Sequence, residues 1–345
     1  MALAETAGRS LEPVDGGRIR SHRGPAAVVL GYIAAVFVLF ALNFFLPRTL
    51  PGRPLEALSD PRAATYIGDA ERRAAVERYY GLDQPIGEQF VRYLGGLGRG
   101  ELGTSIRYNV SVSTLLAGKL PWTLLLTGTA LTVAAVVGML AGVQAGWRRG
   151  RASDRGLLPL FVAFDNIPLY FLGSAVAYVF AVQLGWLPLS GARTPFSESW
   201  PPWQQALDIA YHLVLPAGLM AMQFAGFQFL VMRASMVGEL GSDYLMLGRA
   251  KGLPERVLKY RYAARNALLP AVSVLALQAG FAVTASIFIE TIFAYPGLGR
   301  LMVESVQSRD YPTMQGVFLV FTVIVLTANL LADLAYRRLD PTVSR

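Results

Sequence analysis

Six apolar stretches, each long enough to cross a lipid bilayer, constrain the fold of this chain more than any other feature. A helix needs about 20 apolar residues to span the hydrocarbon core, where a single segment satisfies its backbone hydrogen bonds only as a helix. In agreement, 54% of the 345 residues are hydrophobic and only 16% are charged. The sequence therefore predicts an all-α polytopic membrane protein with six transmembrane helices, at residues 25–46, 122–147, 156–185, 210–232, 270–292 and 313–336.

Basic residues in the loops predict the orientation of these helices. Lys and Arg concentrate in the short cytoplasmic loops of membrane proteins. They are frequent in residues 1–24, 148–155, 233–269 and 337–345, and sparse in the short loops that alternate with these segments. Both termini are therefore predicted to be cytoplasmic. The segment 47–121 carries ten basic residues, but long translocated segments are largely exempt from this rule. The net charge of +8 follows from this topology, so no nucleic-acid partner is expected.

The sequence divides into five parts. Residues 1–24 are polar without apolar periodicity, which predicts a disordered cytoplasmic tail. The run 25–46 is longer than a signal-peptide core and no small-residue cleavage site follows it, so we expect a retained first transmembrane helix. The remaining parts are an external segment with a small domain at 47–121, a core of five transmembrane helices at 122–336 with a polar loop at 233–269, and a cytoplasmic tail at 337–345.

The polar, basic loop between the fourth and fifth apolar stretches has the pattern of a docking element. A flexible linker would be rich in Gly, Ser or Pro without periodicity. Here apolar residues recur at helical spacing on both sides of Gly252-Leu253, and Pro254-Glu255 is typical of a helix start. The sequence predicts two short amphipathic helices that meet at this corner, with apolar faces formed by Leu240, Tyr244, Leu247 and Ala250, and by Val257, Tyr260, Ala264 and Leu268.

Glycines line one face of the second apolar stretch. Gly138, Gly142 and Gly146 recur at intervals of four residues, a spacing that lets another helix backbone approach closely. The neighbouring helix could belong to this chain or to a partner subunit.

Three carboxylates lie within the apolar stretches, namely Asp165, Glu290 and Asp333. At the centre of a membrane helix each costs about 2.5–3.5 kcal/mol, so a specific role is expected. Glu290 and Asp333 lie near the ends of their stretches, which favours structural roles over transport protonation. Asp165, beside Asn166, either faces a pore or bonds to a neighbouring helix. Pore lining and helix packing are thus the alternatives for this set.

Several catalytic classes are excluded by what the chain lacks. No GxxxxGK[ST] motif is present to hold phosphates, so the chain is not its own ATPase. Two histidines and no cysteine leave no ligand cluster for zinc and no disulfide.

The corner of the central loop resembles a known family. Arg249-Ala250-Lys251-Gly252-Leu253, followed by Arg265-Asn266-Ala267-Leu268-Leu269-Pro270, is similar to the cytoplasmic loop of peptide-type ABC importer permeases, the dipeptide and oligopeptide permease subunits. In that family the loop contains a coupling helix that sits in a cleft on a separate ATPase subunit. The resemblance implies an ATPase-coupling loop formed by Tyr244, Arg249, Ala250, Lys251, Gly252 and Leu253.

Separated motifs extend the resemblance over residues 26–341. Helical residues 70–80 precede Gly81-Leu82-Asp83-Gln84-Pro85, and Gly100-Glu101-Leu102-Gly103-Thr104-Ser105 follows later; both strings are similar to the family's external region, with Glu101 in place of the usual Asp. Asp310-Tyr311-Pro312 is a further match. The external segment is expected to be a folded cap on the pore, a contact surface for a solute-binding protein, or both.

The resemblance implies a type I ABC importer permease that forms half of a translocation pathway, with di- or oligopeptides favoured as cargo over nickel or sugar oligomers. The implied partners are a second homologous permease, two ATPase subunits that bind ATP and Mg²⁺, an extracytoplasmic solute-binding protein and the bilayer of the bacterial inner membrane. The chain itself is expected to be no enzyme and to hold no cofactor. Two other classes stay open: a stand-alone proton-coupled carrier, and a membrane scaffold that recruits a partner through the central loop.

Overall fold

The computed structural model describes residues 25–49 and 70–339. The predicted tail at residues 1–24 therefore lies outside the described residues. The chain divides into two compact units, Met1–Leu42 and Asn43–Arg345. The described residues are mostly helical and contain no strand, apart from one isolated antiparallel bridge between Thr104 and Ser111. This confirms the predicted all-α class.

Long helices alternate with short ones along the described residues. They are α1 (Pro25–Arg48), α2 (Ala70–Tyr80), α3 (Ile86–Gly98), α4 (Val112–Trp147), α5 (Ala152–Asn166), α6 (Leu169–Gln183), α7 (Pro202–Glu239), α8 (Asp243–Ala250), α9 (Glu255–Ile292), α10 (Leu298–Ser308) and α11 (Tyr311–Leu339). α6 ends in a π-helical turn, and α9 contains another at Leu258–Ala263. α2 coincides with the helix predicted at 70–80.

Among the residues that the structure describes, four helices are long and apolar enough to cross a membrane by themselves: α4, α7, α9 and α11. They coincide with the predicted second, fourth, fifth and sixth spans. α5 and α6 together cover the third predicted span, as a pair bent by 99°. α1 covers the first predicted span, and its described apolar part, Val36–Arg48, is shorter than a full span. The presence of six transmembrane spans therefore stays a prediction.

The third predicted span is not one continuous helix. α5 ends at Asn166, and Ile167 has extended dihedral angles, with φ −83° and ψ 124°. Pro168 explains the break, because its ring disfavours helical dihedrals in the preceding residue. Pro168 then directly precedes the first residue of α6. The break leaves Asp165 in the last turn of α5, next to non-helical backbone.

Glycines bring α4 and α7 into close contact. A Cβ added at Gly142 would lie 2.8 Å from the Cβ of Met232, and one at Gly146 would lie 2.6 Å from the Cβ of Met236. Gly138 meets α7 in the same way, one helical turn earlier. Only glycine permits backbones this close. The sequence predicted a close helix contact at this face, and the structure identifies its partner as α7 of the same chain.

The central loop is shorter than the predicted range 233–269. α7 continues to Glu239, whereas α9 begins at Glu255 and continues as a helix to Ile292. The prediction of a short second helix after the corner is therefore wrong. A helix does not end where its apolar run ends, because basic residues can continue it beyond the bilayer. α8 is the short helix between these two long ones.

Asp310 fixes the segment that is predicted to be external to the start of α11. Its buried carboxylate accepts hydrogen bonds from the hydroxyl of Ser105, from the backbone N–H of Ile106 at 3.1 Å and from that of Arg107 at 3.3 Å. It also accepts a hydrogen bond from the hydroxyl of Thr313 at 2.8 Å. One side chain therefore caps a membrane helix and orders the loop that precedes α4.

Candidate functional site

The central loop forms a tight corner between α8 and α9. Gly252 has φ +74°, in the left-handed region that favours glycine. Its N–H donates to the carbonyl of Arg249 at 2.9 Å, and the N–H of Leu253 donates to the carbonyl of Gly248 at 3.1 Å. The Nε of Arg249 lies 3.1 Å from the carboxylate of Glu255, across the corner. The five predicted residues from Arg249 to Leu253 therefore lie together here.

The outer surface of this corner mixes exposed apolar and basic side chains. Met246 and Leu247 are 67% and 56% exposed, and Lys251 is exposed beside them. A Cβ added at Gly252 would meet no atom within 4 Å, so no described residue covers this side. Two adjacent exposed apolar residues in the middle of a short helix have the shape and chemistry to enter a groove on another protein.

The inner side of the corner packs firmly against the long helices. Leu245 and Leu258 are fully buried in a cluster with Met232 and Met236 of α7. Gly248 lies so close that an added Cβ would be 2.5 Å from a methyl group of Leu258. A displacement of α8 must therefore also displace α7 and α9, because packed interiors deform little.

Tyr244 links the corner to the end of α7. Its hydroxyl donates a hydrogen bond to the carboxylate of Glu239. Burial raises the pKa of the Tyr244 hydroxyl, and the hydrogen bond to Glu239 raises it further. The tyrosine is thus protonated at neutral pH and keeps donating to this carboxylate.

The structure corrects the predicted apolar faces of the loop. The sequence pattern places Leu247 and Tyr260 on the apolar faces of their helices, and both are exposed. Leu245 and Leu258 are buried instead. The π-helical turn Leu258–Ala263 rotates the buried face of α9, and a spacing of 3.6 residues per turn does not anticipate such a turn.

A buried ion pair that sequence analysis did not identify joins α5 to α7 near the corner. The carboxylate of Asp154 accepts hydrogen bonds from Nε of Arg233 at 2.6 Å and from its Nη2 at 2.9 Å. The N–H of Gly150 also donates to Asp154, at 2.8 Å, and the Asp154 side chain is 6% exposed. Bidentate ion pairs of this kind fix the orientation of both side chains. The available signal was a single acidic residue in a basic loop, in the first turn of a helix.

An open cavity of about 590 Å³ lies among α5, α6, α7 and α9. Its polar lining residues are Asp165, Gln223, Gln278 and Thr284, and the remainder is mainly Phe and Leu. Gln278 donates from Nε2 to the carbonyl of Phe224 at 3.0 Å, while its Oε1 has no hydrogen-bond partner among the described residues. A few polar groups in an aromatic wall are typical of sites for small organic ligands.

Glu290 lies in a different environment. Its fully buried carboxylate accepts hydrogen bonds from the hydroxyl of Thr123 at 2.7 Å and from the N–H of Arg300 at 3.0 Å. The N–H of Leu298 donates to the same Thr123 hydroxyl at 2.8 Å. The carboxylate therefore lies at the N-terminus of α10, where the helix dipole stabilises negative charge. A Cβ at Gly297 would lie 2.3 Å from it, so glycine is needed there. These contacts favour a structural role.

Asn166 does not join either site as a polar partner. Asn166 is exposed and donates to the carbonyl of Val162 in its own helix, at 2.7 Å. Asp333 belongs to α11, but its side chain lies outside the described part of the structure. Within the described ranges, no group of three or more His, Asp or Glu side chains could hold a metal ion.

Known proteins resemble this chain over nearly its whole length. The family described as binding-protein-dependent transport system inner membrane component matches residues 134–345, a range that includes the corner and the cavity. The glutathione transport system permease protein GsiC of Escherichia coli (strain K12) is 35% identical over 315 residues, which cover 91% of this chain and 96% of that protein. A Brucella ovis protein named provisionally as a peptide permease is also 35% identical over 315 residues, 91% of this chain and 95% of that protein.

One solved structure was also similar. A chain of the crystal structure of an amino acid ABC transporter with histidines aligns with 66% of this chain and 94% of its own length, at 16% sequence identity and a TM-score of 0.49.

Proposed function

This chain belongs to the family of binding-protein-dependent transport system inner membrane components, and on that premise we propose that it forms half of the translocation pathway of an ATP-driven importer. We propose di- or oligopeptides as its cargo. The relatives support this choice, because one is named for glutathione, itself a tripeptide, and another for peptides.

The observation that carries this proposal is that the same two helices bear both the corner and the cavity. α7 contributes Phe224 to the cavity and Met236 to the buried side of the corner. α9 contributes Phe281 to the cavity and Leu258 to the buried side of the corner. A partner that moves the corner would therefore tilt these helices and change the shape of the cavity, which is what coupled transport requires.

The chemistry of the cavity suits a peptide. The carboxylate of Asp165 can pair with an N-terminal ammonium group, and the amides of Gln223 and Gln278 can bond to peptide N–H and C=O groups. The aromatic wall can contact side chains of different size. Phe281 and Leu277 are largely exposed at the rim, and a second homologous permease would cover them and complete the pathway.

The remaining partners follow from the same proposal. Two ATPase subunits bind ATP and Mg²⁺ and receive the corner, with Met246 and Leu247 in their apolar cleft and Lys251 near its acidic rim. An extracytoplasmic solute-binding protein delivers the cargo on the opposite side. The complex lies in the bacterial inner membrane, with both termini of this chain in the cytoplasm.

Uptake of a radiolabelled dipeptide in cells with and without this chain tests the proposal. The strain lacks ATP synthase, so that a protonophore collapses the proton gradient while glycolysis maintains ATP. We expect uptake to depend on this chain, to persist with the protonophore and to stop on ATP depletion. Loss of uptake with the protonophore alone would identify a proton-coupled carrier. No dependence of di- or oligopeptide uptake on this chain would contradict the proposed cargo, and the absence of any uptake phenotype would favour the scaffold.

A further inference from the structure

A second cavity, at the opposite end of the molecule from the corner, has no role in the proposed pathway. It has a volume of about 510 Å³ and lies among the last turn of α1, the α2–α3 pair and the first turns of α11. Phe44 lies two residues before the end of the first predicted span, and Gln315 lies two residues after the start of the last. The cavity is therefore at the level where the headgroups of the external leaflet are predicted.

The lining of this cavity is positively charged. Arg48, Arg92 and Arg99 line it, and Glu101 is the one carboxylate among its lining residues. Three guanidinium groups against one carboxylate leave two positive charges. Glu101 lies 3.5 Å from Arg99, and both side chains are more than two-thirds exposed. Such a surface ion pair contributes little to stability, so the excess positive charge remains available to bind an anion.

Two polar groups on the floor of the cavity are positioned for an anion. The Nη1 of Arg48 donates to the carbonyl of Phe44 at 2.8 Å, and its Nη2 donates to Gln89 at 3.0 Å. These bonds hold a guanidinium whose planar fork matches phosphate oxygens. Gln315 is only 9% exposed, and its Nε2 has no hydrogen-bond partner among the described residues. A buried amide left unpaired costs about 1–3 kcal/mol, and a rotation of the Gln315 side chain toward the cavity would let an acceptor on a ligand remove this cost.

We propose that this cavity binds the phosphate group of an anionic phospholipid from the external leaflet. Its oxygens accept hydrogen bonds from Arg48, Arg92, Arg99 and the Gln315 amide, and the apolar walls formed by Leu82, Leu97 and neighbouring aromatic rings contact the start of the acyl chains. The site does not depend on the cargo of the transporter. Its occupant would tie the α2–α3 pair to the membrane core.

Native mass spectrometry of the delipidated full-length chain tests this proposal. The chain is titrated separately with phosphatidylglycerol, zwitterionic phosphatidylcholine and soluble glycerol 3-phosphate. We expect one tight phosphatidylglycerol adduct, with no equivalent for phosphatidylcholine. The double variant Arg92→Gln with Arg99→Gln, and separately Gln315→Leu, should each weaken this adduct by about tenfold or more.

The matched control is Arg78→Gln with Arg193→Gln, which removes two exposed external arginines that do not line the cavity. This variant should retain the wild-type adduct. Equal binding by the Arg92 and Arg99 variant would overturn the proposal, as would equal weakening in the control. Displacement of the lipid by glycerol 3-phosphate at equal concentration would also contradict it, because the ligand would then be a soluble phosphoester. The arginine variants alter exposed side chains, so they remain informative if Gln315→Leu fails to fold.

Discussion

Single residues decide whether the corner can form and transmit motion. Gly252 has a backbone conformation that costs a β-branched residue about 1–3 kcal/mol. Gly252→Val should therefore weaken binding of the ATPase and reduce uptake severalfold, while the spans still insert. Co-purification of the ATPase and uptake in vesicles measure this. The control is Gly241→Val, since Gly241 lies at the other end of α8 with no positive φ and with open space around it.

Normal complex formation and normal uptake in Gly252→Val would show that the corner is not the coupling element. Lys251→Glu tests the charge of the same surface. Its effect should be smaller, because an exposed ion pair contributes less than about 1 kcal/mol.

The ion pair between Asp154 and Arg233 gives a prediction about stability. Asp154→Asn leaves the Arg233 guanidinium, whose side chain is 21% exposed, without its charged partner; such a loss costs about 3–5 kcal/mol in a fully buried pair and less here. We expect the unfolding temperature in detergent to fall by several degrees. Asp243→Asn is the matched control, since Asp243 also lies in the first turn of a helix but is exposed, and its effect should stay within about 0.5 kcal/mol. Equal unfolding temperatures for the two variants would refute a stabilising role for the pair.

Sequence reasoning at this scale succeeded for Gly252 and failed for Asp154. A glycine at a corner between two periodic segments implies a specific backbone conformation, which is a local property. The contribution of Asp154 to stability depends on its contact with Arg233, 79 positions away. Local sequence patterns do not reveal which distant side chain a carboxylate will meet.

Among the helix contacts, the close packing of α4 against α7 leads to a prediction about stability. Gly142→Ala places a Cβ against the Cβ of Met232 and the carbonyl of Phe229, where backbone atoms cannot move aside easily. We expect a loss of about 1–3 kcal/mol, measured as a lower unfolding temperature. Gly128→Ala in the same helix is the control, because nothing lies within 4 Å of its added Cβ. If both variants behaved alike, close packing of the two helices would not be the cause.

Helix positions were largely predictable from the sequence, whereas their interruptions were not. Apolar length located α4, α7, α9 and α11, and composition located α2. Periodicity did not predict the 99° bend at Pro168 or the π-helical turn at Leu258–Ala263. Pro168 is a local signal for the break at Ile167, but the size of the bend and the position of the π-helical turn depend on how the helices pack, which is a tertiary property.

In the whole molecule, two long helices connect the corner at one end to the cavity among the helices. α7 and α9 pass from the packed side of the corner to the aromatic wall around Asp165. The two carboxylates whose side chains are described have different surroundings, since Glu290 lies at the N-terminus of α10 whereas Asp165 lines the cavity. We therefore propose that an ATPase subunit acts on this chain at the corner.

Site-directed cross-linking tests this proposal, because the chain contains no cysteine and a single introduced thiol is the only one to label once the partner subunits are made cysteine-free. Met246→Cys places a thiol on the exposed face of α8, and Phe196→Cys places one on a 90% exposed residue between α6 and α7, on the opposite predicted side of the membrane. Each variant is labelled with a maleimide photo-cross-linker in vesicles that contain the whole complex. We expect an adduct with the ATPase subunit from position 246 and none from position 196. A labelled position 246 without that adduct, or equal adducts from both positions, would contradict it.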